Sequence, residues 1–205
     1  MAISNNSTGL RPGVCTSTTR PTAPYEGQMI YETDTDMVAI WNGTAWRYIA
    51  ATTPTNGTVL QVQSTLKTDT FSYASATFAD VTGLTVAITP KSTSSKVLVI
   101  ASVTMMHITG QSEVYTRIAR GGTGIAVGDA SGSRPQVTSA INDLITTVPM
   151  FALDAPASTS SLTYSVQVRA AVGGLTGYVN RSYADTNGSS GIRSSSSITV
   201  MEIAA

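Results

Sequence analysis

Residues Leu162 to Arg169 alternate without a break: Leu162, Tyr164, Val166 and Val168 against Thr163, Ser165, Gln167 and Arg169. A side-chain period of two puts one set on each face of an extended strand, and no helix can separate the sets in this way. Leu84, Val86 and Ile88 repeat the pattern against Thr85, Ala87 and Thr89. Both segments read as half-buried strands with a hydroxyl-rich outer face. The rest of the chain suits them, since 32 threonines, 18 valines and 14 isoleucines make 64 of its 205 residues β-branched. Such side chains are stiff at χ1 and pack well on a pleated surface. The expectation is an all-β protein.

Charged residues make up 12% of the chain, 12 basic against 12 acidic, where an average soluble domain carries about 25%. No basic field exists for nucleic acid or anionic lipid, so neither is an expected partner. The opening, MAISNNSTGL, has neither a basic nor an apolar stretch of the kind a signal peptide needs, which points to synthesis in a cytoplasm. The most apolar run, Val97 to Met106, is broken by Ser102 and Thr104. It falls short of the roughly 20 residues that span a bilayer, and membrane insertion is not expected. A domain of about 150 residues buries roughly 68–70% of its unfolded surface and needs no disulfide or metal. The single cysteine, Cys15, lies in a Thr/Ser-rich segment and reads as an incidental thiol.

Four regions follow along the chain. Residues 1–24 hold Pro12, Pro21 and Pro24 among small polar residues and read as an extended arm, which stays disordered unless a partner holds it. Residues 25–50 read as a three-stranded meander: Met29–Tyr31, Met37–Trp41 and Trp46–Ile49, joined by turns at Glu32–Asp36 and Asn42–Ala45. In that register Trp41 and Trp46 face each other. Three strands this short enclose no core, so the unit should gain stability against copies of itself or another protein. Residues 51–57 form a linker, and 58–205 carry eight to ten strands, a number that fits a two-sheet jelly roll. Within them, Lys96–Ile108 and Ile198–Ile203 are apolar on both faces, as when one face meets a core and the other a partner. Val137, Ile141, Leu144, Ile145 and Val148 recur at helical spacing while Thr146 and Thr147 favour a strand, and the sequence leaves 137–148 open between the two.

The search for chemistry finds no catalytic, cofactor or metal site. The one histidine, His107, sits in the most apolar strand and reads as a core or interface side chain. Asp34 and Asp36 occupy a tight turn, where aspartate caps its own backbone, and a calcium site would need several more oxygens. Gly121–Gly124 lacks the Lys-Ser/Thr of a phosphate loop and reads as a hairpin turn. The most varied surface stretch is Tyr178–Asp185. There Tyr178, Arg181, Tyr183 and Asp185 make a recognition loop or a subunit contact, or else an ordinary strand and turn.

Two segments carry a resemblance. Arg20-Pro21, Pro24, Glu26–Asp36 and Trp41–Trp46 resemble the short hairpin module of tailed-bacteriophage structural proteins, among them tail fibres and head or neck appendages. The remainder is similar to phage fibre-type C-terminal domains through Val81–Leu84, Ile88–Pro90, Ser95–Val99, Leu153–Ala157 and Ser197–Ile203. The resemblance implies a non-enzymatic homotrimeric virion protein, assembled in a host cytoplasm, with a C-terminal jelly roll like those of tumour-necrosis-factor and complement-C1q trimers. It further implies that Arg11, Pro12, Arg20, Pro21, Tyr31, Trp41 and Trp46 serve attachment to other virion proteins and assembly, and that distal loops meet a host receptor or glycan. A trimer that decorates and cements the capsid is the alternative. The sequence shows no shaft repeat, so the assembly it builds is short.

Overall fold

The structure, a computed structural model, describes residues 12–49, 54–106, 113–142, 145–189 and 191–205. The chain divides into two compact units, Met1–Thr53 and Pro54–Ala205, each described by itself below. The described residues contain strands and turns and no helix.

In the first unit, β1 (Gly13–Cys15), β2 (Met29–Glu32), β3 (Met37–Trp41) and β4 (Trp46–Ile49) form one sheet in chain order. The three meander strands fall where alternation and turn residues put them. Asp36 takes a left-handed φ of 56° and Gly43 one of 92°. In the second turn Asn42 Oδ1 accepts from the Thr44 and Ala45 amides at 3.0 and 2.8 Å. β1 takes residues 13–15 of the segment read as an extended arm into this sheet. It pairs in parallel with β2, Gly13 opposite Ile30 and Cys15 opposite Glu32, and so makes a fourth strand. A parallel pair needs a crossover of about a dozen residues, and 16–28 supply it without a helix. Three residues are too few to show alternation, and the strand exists because β2 offers an edge to fill.

The second unit holds β5 (Val59–Lys67), β6 (Phe71–Tyr73), β7 (Ala79–Ile88), β8 (Lys96–Met106), β9 (Val114–Arg120), β10 (Thr123–Ile125), β11 (Ser139–Ile141), β12 (Ile145–Asp154), β13 (Leu162–Ala170), β14 (Gly177–Val179) and β15 (Ser196–Ile203). One sheet runs β12, β8, β15, β5, with β14 and β6 continuing the line of β15 and β5. The other runs β7, β13, β9, and then β10 and β11 side by side along β9. Each sheet is four strands wide. The chain crosses from β5 to β7, back to β8, across to β9, back to β12, across to β13 and back to β15, the connectivity of a jelly roll.

The core lies between the sheets. Val97, Val99, Ala101, Val103 and Met105 of β8, with Met150, Ile198 and Val200 beside them, meet Leu84, Val86, Ile118, Tyr164 and Val166 from the other sheet. At one end Arg120 and Tyr164 both reach Asp154 across the gap, at 2.5 and 2.7 Å. Of the segment left open between helix and strand, Ser139–Ile141 lie in β11 and Thr146 and Thr147 stand opposite Met105 and Thr104 in β12, while Leu144 lies outside the described residues. The β-branched pair decided it, because a ten-residue antiparallel partner was available on β8. His107 and Arg11 lie outside the described residues.

Candidate functional site: two uncovered sheet faces and a closed loop

The second unit's two sheets present opposite chemistry to the outside. On the outer face of β7, β13 and β9, Asp80 accepts from Ser165 Oγ at 2.7 Å and Gln167 Nε2 at 3.0 Å, and Arg117 Nε donates to Gln167 Oε1 at 2.8 Å. Phe78 lies under the Arg117 guanidinium at 4.0 Å and closes over this network. Polar groups there satisfy one another, and the face is finished.

The outer face of β12, β8, β15 and β5 is not. Its register sets Leu153, Leu98, Met201 and Val62 in one row and Phe151, Ile100, Thr199 and Ser64 in the next. A third row holds Pro149, Ser102, Ser197 and Leu66. Phe151, Leu153 and Leu66 are 62%, 61% and 65% exposed. Four strands about 4.8 Å apart, each contributing some seven residues of about 3.4 Å, give roughly 450 Å². The largest apolar patch of a typical monomer is about 300–600 Å² and is often functional, so this face, in which Thr199, Ser64, Ser102 and Ser197 interrupt the apolar side chains, is a candidate interaction surface. The double-sided apolar pattern of Lys96–Met106 and Ile198–Ile203 thus has a geometric counterpart, and β12 extends the face by a strand that sequence reading left undecided.

The first unit is likewise covered on one side. Under the crossover, Glu32 is fully buried beside Ile30 and Ala39. Its carboxylate accepts from Arg20 Nε, from Tyr48 Oη at 2.9 Å and from Thr35 Oγ1 at 3.0 Å. The Arg20 hydrogen bond, helped by those of Tyr48 and Thr35, holds the Glu32 carboxyl below the usual range. Arg20 also donates to Tyr48 Oη at 2.6 Å, so its guanidinium is committed inside the unit. Trp41 and Trp46 stand opposite each other with ring centroids 5.6 Å apart, on the same face as Ala39 and Tyr48. The opposite face carries Val14, Tyr31, Val38 and Ile49 in one row and Met29, Ile40 and the exposed Arg47 in the next. Val14, Met29 and Ile49 are exposed there. Tyr31 therefore lies on the open face, while Arg20, Trp41 and Trp46 do not. Pro12 precedes β1, and Pro21 is half-buried in the crossover.

The four residues singled out near the C-terminus come together. The Tyr178 and Tyr183 rings are 5.9 Å apart, and the Arg181 guanidinium sits 4.2 Å over Tyr178. Asp185 pairs with Arg181 at 3.4 Å and with Arg193 at 2.8 Å. A bridge between Arg181 and Arg193 closes the neck. Below it, fully buried Asn180 donates to the Lys67 and Asp69 carbonyls at 2.9 and 3.0 Å and accepts from Ser196 Oγ at 2.6 Å. Arg193 escaped sequence reading because it stands in a Ser-rich run without periodicity. Neither a protein-family model nor a curated protein matches the chain.

Proposed function

We propose that the chain is a non-enzymatic structural protein of a tailed-bacteriophage virion, a short homotrimeric fibre or appendage of the tail or neck. The observation that carries this reading is the uncovered apolar face of β12, β8, β15 and β5. A lone protomer leaves Phe151, Leu153, Leu66 and Val62 against water, whereas threefold association buries them and keeps the hydrogen-bonded outer sheet in solvent. The three rows named hold only apolar and hydroxyl side chains, and the face's charge, Lys96, stands one row beyond them opposite Ile203.

The first unit follows from the same logic. Its open face, four strands of about four residues, measures roughly 250 Å², little more than half of the second unit's, and since both fall under the roughly 800 Å² per partner of a standard interface the smaller one adds to the larger rather than assembling alone. It associates only when the short linker to a trimeric second unit raises its effective concentration to about the millimolar range. The residues ahead of β1 then dock the assembly on a neighbouring virion protein, and the loop around Tyr178–Asp185 meets the host surface. Native mass spectrometry at micromolar concentration tests the reading: the expected mass is three times 21.3 kDa, and a monomer alone overturns it.

A further inference from the structure

We infer that the loop carrying Tyr183, Asp185 and Arg193 is a saccharide site, taking one pyranose ring through its hydroxyls. The inference rests on the host-contact part of the proposed function and not on the trimer.

The first support is the way the loop is built. Its ends meet at the Arg181–Arg193 backbone bridge, and Asp185 ties it together through ion pairs to Arg181 and Arg193. Compact surface loops of this kind are frequently functional. Asn180 and Asp185 hold left-handed φ values of 63° and 47°, a strain that persists where the surroundings over-determine the backbone and that clusters at ligand sites. Gly191 is required for the closure, since a Cβ there would stand 2.8 Å from the Thr186 carbonyl oxygen.

The second is a solvent-open cavity that the loop lines, about 370 Å³, which falls at the small end of ligand sites (about 300–1,000 Å³). Ser182, Asp185, Thr186, Asn187 and Arg193 supply hydroxyl, carboxylate, amide and guanidinium groups to its wall, against one large apolar residue, Ile192. An apolar ligand would strip water from these groups and return no hydrogen bond. A cation would find a single carboxylate already shared by two guanidiniums, and an anion would have to displace that carboxylate. A polyhydroxyl ring suits the wall, because each hydroxyl both donates and accepts. Asp185 and the Asn187 carbonyl accept, Arg193 and the Asn187 amide donate, and vicinal hydroxyls match such pairs. Tyr183, next to the lining residue Ser182 in the chain and 48% exposed, stands at the cavity's edge with its ring against Tyr178, which Arg181 covers in turn, and offers an aromatic face for the sugar ring's C–H side.

Saturation-transfer NMR on the full chain tests this with the methyl glycosides of glucose, galactose, N-acetylglucosamine and rhamnose. Each is offered at about 10 mM, since so small a ligand in an open polar site binds at about millimolar strength. At least one should receive transfer. Asn187→Ala and Tyr183→Ala, which leave both Asp185 ion pairs in place, should each weaken it about tenfold with the native mass unchanged, and Asn187→Ala with the melting temperature unchanged as well. No transfer to any of the four overturns the inference, and so does transfer undiminished in both variants, which would put the sugar elsewhere. A monomeric native mass with intact, variant-sensitive transfer would sink the trimer and leave the sugar site standing.

Discussion

Replacing Phe151 and Leu153 together by lysine should turn the trimer into monomers without unfolding the protomer. Both side chains point away from the core and are 62% and 61% exposed in a lone chain, so each still has about three-fifths of its burial to gain. Full burial of such a side chain is worth roughly 1.5–3 kcal/mol, which leaves about 1–2 kcal/mol per residue for association. Two residues in each of three protomers contribute roughly 6–12 kcal/mol per trimer, and even the lower figure corresponds to about four orders of magnitude in association. Like-charged lysines around a threefold axis add to the loss. Sedimentation velocity at about 1 µM, where a nanomolar complex is fully formed, should show one trimeric species for the parent and one monomeric species for the double variant. The melting temperature extrapolated to infinite dilution should match between them, because the substituted positions touch water in the protomer. A variant that still sediments as a trimer, or a monomer that has lost its fold, refutes the assignment of this face.

Two further outcomes follow from the structure. Glu32 is held ionised by Arg20, Tyr48 and Thr35, with its folded pKa below its unfolded one, so the stability it contributes is complete above the unfolded value of about 4.3 and disappears as pH falls through the folded value. Trp41 and Trp46 are the chain's two tryptophans and both belong to the first unit, so tryptophan fluorescence should report acid unfolding of that unit, and Glu32→Gln should flatten the pH dependence. Gly177→Ala would place a methyl 2.2 Å from the ring of Tyr73, itself buried in the core, and this overpacking should cost about 1–3 kcal/mol. Differential scanning calorimetry should record a melt lower by roughly 2–9 °C, and an unchanged melt would mean that the ring has room to retreat.

What the sequence made legible was whatever a period of two or a turn residue could announce. The alternation at 84–89, the Asn42–Ala45 turn and the double-sided apolarity of β8 and β15 have direct counterparts in the fold, whereas at 162–169 the two faces separate as read but Ser165 and Gln167 on the polar face are buried as well. What it hid depends on partners distant in the chain. β1 is three residues long and exists through β2. The extended state of Ile145–Val148 comes from its pairing with β8. The tie of Arg193 to Asp185 comes from a loop that bends back on itself. Arg20 and Glu32 are twelve residues apart, and only the crossover that places them together shows that one is the other's counter-ion. Tyr178, Arg181, Tyr183 and Asp185 could be gathered beforehand because they are neighbours in sequence, but the cavity beside them could not.

Gold-antibody labelling of intact phage particles, with antiserum raised against the recombinant chain and viewed in the electron microscope, tests the appendage reading most directly. The account predicts gold at the tail or neck. Label spread evenly over the head would contradict it in favour of a capsid-decorating trimer, and particles without label would place the protein outside the virion altogether.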